Sequence, residues 1–168
     1  MKFHGLLDKI DQVAGFDEVD AHCDVPCKIY DPATAQIAAL TVLRMIDIMA
    51  EKEGGTSDKG SSDYINTMSR AVANKESHAE DVKREVRVIW GDYFKAPQFE
   101  AFPEIHELTH SIMLIGSACK QTVNRDKAVE LVEAVNRFAE IFWATKDVKT
   151  KRATCPYPPS VEVVYPDL

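Results

Sequence analysis

Two thiols and an imidazole lie close together in the run His22-Cys23-Asp24-Val25-Pro26-Cys27. Thiols four positions apart, in a turn containing a proline, can both reach one metal ion. Thiolates select soft or borderline metals, and first-row affinity rises toward nickel and copper. What His22 adds depends on where the chain starts. An internal histidine offers its imidazole alone. An N-terminal histidine offers its ring and its α-amine, and the next backbone amide can become a further nitrogen donor. Amine, deprotonated amide and two thiolates then lie near one plane, with the imidazole above it. That arrangement suits nickel(II) or copper(II) and fits tetrahedral zinc poorly.

A second constellation competes. His106-Glu107-Leu108-Thr109-His110 fits the H-E-x-x-H pattern, in which two histidines on one helical face bind zinc and the glutamate activates water. No third histidine follows in Ser111 to Gly116, and Ile105 and Leu108 belong to an apolar seam. His106 and His110 are therefore expected to border that seam or to meet a neighbouring subunit. Cys119 and Cys155 are isolated and expected to be structural, since a free cysteine behaves as a small buried hydrophobe.

These residues need elements to position them. The chain has 168 residues, 45% hydrophobic and 28% charged, enough for one domain with a real core. A formal charge of −7 and scattered basic residues argue against a nucleic-acid partner. No apolar run approaches a membrane span. Charges interrupt the N-terminal segment, so no secretory signal forms and a cytoplasmic protein is expected.

Residues 1–21 read as a short appendage with one apolar stripe (Phe3, Leu6, Leu7, Ile10, Val13). Pro26 forbids a regular element across 22–30. Asp31 as cap and Pro32 at the first helical position open a helix from about Pro32 to Lys52, with Ile37, Leu40, Leu43, Ile46 and Met49 as buried candidates. A second helix carries Ile65, Met68, Val72, Lys75, Ala79, Val82, Val86 and Ile89 on one seam that only Lys75 breaks; Gly91 stops it. Pro103 opens a third, with Ile105, Leu108, Ile112, Ile115 and Cys119 on its seam. Asn124 or Asp126 caps a fourth, which buries Val129, Val132, Val135, Phe138 or Ala139, and Phe142. Residues 147–168 carry four prolines and are expected to be extended. The fold expected is all-α: an antiparallel up-down four-helix bundle over 32–146, with an N-terminal metal hook at 22–31 and an extended C-terminal tail.

The run from His22 to Pro32 resembles the nickel-binding hook of nickel-containing superoxide dismutases, whose mature N-terminus reads His-Cys-Asp-x-Pro-Cys-x-x-Tyr-Asp-Pro; every fixed position is matched. Trp90-Gly91-Asp92-Tyr93-Phe94-Lys95 and Ile141-Phe142-Trp143-Ala144-Thr145-Lys146 are also similar to family segments.

The resemblance implies one nickel ion per chain held by His22, Cys23 and Cys27, which cycles between two and three plus while superoxide becomes oxygen and hydrogen peroxide. It implies that a leader peptidase removes residues 1–21 by cutting between Ala21 and His22, and that the mature chain assembles as a homohexamer. It implies that Tyr30 and Tyr93 flank the metal, that Asp24 steadies the hook, and that the Val25–Pro26 bond is cis. Lys28 and Lys95 are candidates for drawing in the superoxide anion. The chain departs from several family members where a glutamate and an arginine hold the hook histidine: the equivalent places are Ala38 and His78. The same hook could also serve a nickel or copper carrier that turns nothing over.

Overall fold

The computed structural model describes residues 28–168. Asp31 starts the first helix as expected: its Oδ1 accepts from the amide of Ala33 at 2.8 Å, and Pro32 has no amide to leave unpaired. Helix α1 spans Ala33–Gly54 and α2 spans Ser62–Val88, the latter opened by the Ser61 hydroxyl accepting from the Tyr64 amide. Gly91 does not simply stop α2. The helix widens into a π-helical turn over Ile89–Tyr93, closed by the Phe94 amide donating to the Ile89 carbonyl at 3.3 Å. A short helix, α3 (Ala96–Ala101), occupies the expected loop around Pro97. Then come α4 (Ile105–Gln121) and α5 (Arg125–Ala144), the last capped by Asn124 Oδ1 accepting from the Lys127 amide.

The four long helices close a ring in which α1 packs on α2 and α5, and α4 packs on the same two. Inside it Val42, Leu43, Met49, Val82, Ile112, Leu131, Phe138 and Phe142 are sealed from solvent. The expected seams hold along their centres and fail at their edges: Ile37, Ile65, Val72 and Val129, expected in the core, are exposed. Helix α1 is long and apolar enough to cross a membrane, with a mean hydropathy of 1.4, against the expectation that no run approaches a span. Its apolar face is spent on the bundle, where Ala35, Ala39, Val42, Leu43 and Ile46 are buried.

Lys75 does not break its seam; it completes it. The residue is 2% exposed, and its ammonium donates to the carbonyls of Cys119, Lys120 (2.8 Å) and Thr122 (3.0 Å). Those carbonyls end α4, where no intrahelical donor exists and the helix dipole favours a cation.

The tail corrects the all-α expectation. It is extended, but it is folded into an antiparallel hairpin, with β1 (Thr150–Thr154) paired to β2 (Glu162–Pro166) from Thr150–Pro166 to Thr154–Glu162. Pro156, Pro158 and Pro159 fall in the connection between the strands, and Pro166 at the end of β2, where a missing amide costs least. Cys155, Val163 and Val164 are buried against the bundle.

Candidate metal centre

His22, Cys23 and Cys27, with Asp24, the Val25–Pro26 bond and the 1–21 leader, lie outside the described residues. Lys28 is one residue past the last candidate ligand. Lys28 has φ 53°, in the left-handed region that few non-glycine residues adopt. Ile29 is exposed, Tyr30 half-buried, and Asp31 then commits the chain to α1.

Tyr30 meets Tyr93. Their ring centroids are 5.7 Å apart and tilted by 51°, within the range of favourable aromatic pairs. They come from distant stretches of sequence: Tyr30 from the approach to α1, Tyr93 from the last residue of the π turn. Beneath them Tyr93 packs on Phe142 (4.9 Å) and Phe94 (5.4 Å), both buried. This aromatic floor fixes the Tyr93 ring.

The Tyr93 hydroxyl lies 2.7 Å from Thr145 Oγ1. Thr145 donates its own proton to the Phe142 carbonyl at 2.6 Å, so Tyr93 is the donor to Thr145. The Tyr93 oxygen keeps its lone pairs as acceptors. Lys146 places its ammonium 4.7 Å from the Tyr93 ring centre and 5.2 Å from that of Phe142, a cation–π contact that holds a positive charge beside the tyrosine pair. Sequence reasoning does not single out Thr145 or Lys146 as site residues, although both close the segment Ile141 to Lys146 that carries part of the resemblance. Lys95 is exposed, with its ammonium 3.4 Å from the Gly91 carbonyl; Lys28 is also exposed.

Ala38 is buried on α1 and offers only a methyl group. The His78 ring bonds through Nδ1 to the Asn74 carbonyl at 2.8 Å, one turn back on its own helix and roughly four turns from Tyr93.

The rival zinc pattern does not assemble. His106, Glu107 and His110 are exposed on α4. The Trp90 indole donates to His106 Nδ1 at 3.2 Å, and the imidazole lies against Phe99 with centroids 4.4 Å apart. Among the described residues no group of three or more His, Cys, Asp or Glu side chains could hold a metal ion. The donor chemistry suited to a metal is that of the hook: two thiols and a histidine, which fit nickel.

The profile of the nickel-containing superoxide dismutase family matches residues 17–146. The chain is 36% identical over 129 residues to a superoxide dismutase [Ni] of Streptomyces seoulensis, spanning 77% of this chain and 91% of that one. It is 38% identical over 128 residues to the Streptomyces coelicolor protein of the same name, spanning 76% and 90%. Among solved structures it is similar to native nickel superoxide dismutase (TM-score 0.65, 36% identity, 74% of this chain and 99% of that one). It is also similar to a nickel-containing superoxide dismutase with the ligation of its oxidised state (TM-score 0.65, 35% identity, 75% and 99%).

Proposed function

Because this chain belongs to the nickel-containing superoxide dismutases, we propose that its N-terminal hook, freed by a cut between Ala21 and His22, is the centre at which superoxide is dismuted. The protein is an oxidoreductase acting on superoxide, and nickel is its cofactor. The net reaction takes two superoxide anions and two protons to one dioxygen and one hydrogen peroxide. Bound nickel supplies one-electron exchange, alternating between the two- and three-plus states.

The chain's own residues do the rest. Cys23 and Cys27 supply thiolates, whose strong donation favours the higher metal charge. His22 supplies its amine only once residues 1–21 are gone, so the leader acts as a block on maturation and a dedicated peptidase as its release. Tyr30 and Tyr93 limit what reaches the metal. Their 5.7 Å contact, with Tyr30 three residues on from Cys27 in sequence, supports this. Lys146 adds attraction for a small anion in a chain that is acidic overall. Successive long helices run up and down as an antiparallel four-helix bundle, which assembles as a homohexamer in the cytoplasm; the absence of an apolar core in the leader supports that location.

The match across 17–146, which contains the whole hook, carries this reading. Intact mass and metal analysis of native protein test it, together with superoxide decay followed by stopped flow. A mature chain starting at His22 with about one nickel, and loss of both nickel and turnover in Cys23→Ser or Cys27→Ser, are expected. His110→Ala should leave turnover intact. A mature chain retaining Ala21 would overturn the hook, and stoichiometric nickel without turnover would make the protein a carrier.

A further inference from the structure

The segment past residue 146 lies beyond the family match, yet it is tied to the part of the bundle from which the hook emerges. Two buried amides do the tying. Gln36, in the first turns of α1 and 7% exposed, donates from Nε2 to the Val164 carbonyl at 2.9 Å and to Asn136 Oδ1 at 3.3 Å. Asn136, on α5 and 1% exposed, accepts from the Val164 amide at 3.2 Å and donates to the Glu162 carbonyl at 3.0 Å. The bundle-facing edge of β2 is thus paired with side chains where a sheet would offer another strand. Buried polar groups left unpaired are costly, so the two amides fix the strand's position along α1 and α5. Outside, Arg152 of β1 grips Glu133 with both terminal nitrogens (2.9 and 2.6 Å) and Glu140 through Nε (3.0 Å).

Both halves of the tyrosine pair connect to this seam. Tyr30 precedes the α1 turn that Gln36 holds, and a cleft of about 140 Å3 between hairpin and bundle is lined by Asp31, Ala33, Gln36, Trp143, Tyr165 and Pro166. Tyr93 rests on Phe142, whose ring meets Trp143 edge-on at 5.1 Å. A shift of β2 would therefore move the start of α1 and loosen the wall behind Phe142 together.

We propose that the C-terminal hairpin is a clamp that sets the hook's base, with Gln36 and Asn136 as positioning residues that hold Tyr30 against Tyr93; this rests on the hook function given above. The test needs no metal in its first arm. The full chain is labelled with 3-fluorotyrosine, the Tyr30 fluorine resonance is assigned with Tyr30→Phe, and Gln36→Met is compared with the parent, a swap that keeps volume and removes the donor. The Tyr30 line should shift or broaden while far-ultraviolet circular dichroism stays unchanged. In the second arm the processed, nickel-loaded variant should lose roughly three- to tenfold in kcat/KM, the worth of about one buried hydrogen bond, and its nickel(III) paramagnetic spectrum should change. Arg152→Ala, which leaves the buried amides in place, should act in the same direction and less. An unmoved Tyr30 line in Gln36→Met, with faster hydrogen exchange at the Val164 amide proving the hairpin loosened, overturns the clamp. If Gln36→Met does not fold, the same pair of readings on Arg152→Ala decides. A parent chain that loads nickel without turnover sinks the hook function and leaves the fluorine result standing.

Discussion

Thr145 sets the direction of the Tyr93 hydroxyl proton: having given its own proton to the Phe142 carbonyl, it can only accept from Tyr93. The tyrosine is thereby held with its O–H turned toward α5 and its lone pairs turned elsewhere. Thr145→Val keeps the shape and removes the acceptor. We expect it to cost about 1 kcal/mol in chemical denaturation, the worth of one hydrogen bond. Superoxide decay should slow by a few-fold, with nickel content unchanged. Thr145→Ser, which restores the oxygen, should recover most of the rate.

Lys146 is exposed and holds its ammonium over Tyr93 and Phe142, so its charge acts at close range. Lys146→Gln should lower kcat/KM for superoxide by about two- to fivefold at low ionic strength, because steering of a charged substrate is a rate effect. The difference should shrink as salt is raised toward about 0.5 M, where screening removes long-range attraction. Pulse radiolysis across a salt series reads both; equal loss at every salt concentration would assign Lys146 a packing role instead.

Burial pushes the Cys119 thiol up to about 11, from 9.0 for an ordinary thiol. In the unfolded chain that thiol ionises first, so the folded state loses stability as pH rises from about 9 to about 11. The loss is on the order of 3 kcal/mol, since each tenfold change in an ionisation equilibrium is worth about 1.4 kcal/mol. Lys75, held below the usual lysine range by burial, works in the opposite sense: its contribution is present above 10.5 and falls away as pH drops below that. Cys119→Ala should therefore flatten the alkaline decline measured by urea denaturation at stepped pH. At a pH of about 8 the buried Cys119 and Cys155 should resist iodoacetamide in the folded, nickel-free chain.

Much of the bundle was legible because periodicity and caps agreed. The Asp31 and Asn124 caps both form the side-chain bonds their types favour, and Asn124 opens the helix expected of it. Seam edges were less legible: Ile37 and Leu40 obey the same spacing, yet only Leu40 faces the ring, because a few tens of degrees of helix rotation decide which edge is covered. The hairpin was missed because four prolines outweighed the β-branched run Val161 to Tyr165, which alternates only briefly and includes a glutamate. Lys75 read as a flaw, since its partners are backbone carbonyls on another helix that no side-chain pattern announces. At the site, Tyr30 and Tyr93 came from the resemblance alone, and no spacing in the sequence announces that their rings meet. The part played by Thr145 depends on the donor order of two hydrogen bonds, which composition and spacing do not encode.

The π turn from Ile89 to Tyr93 makes the direction of Tyr93 depend on how the end of α2 is wound. A regular α-helix advances about 100° per residue, so a wide turn amounts to one residue slipped into the spiral. Winding the same residues as an ordinary α-helix would swing Tyr93 by up to about that angle, off Phe142 and away from Tyr30. A substitution that favours regular winding between Ile89 and Phe94 should consequently displace Tyr93 without touching it.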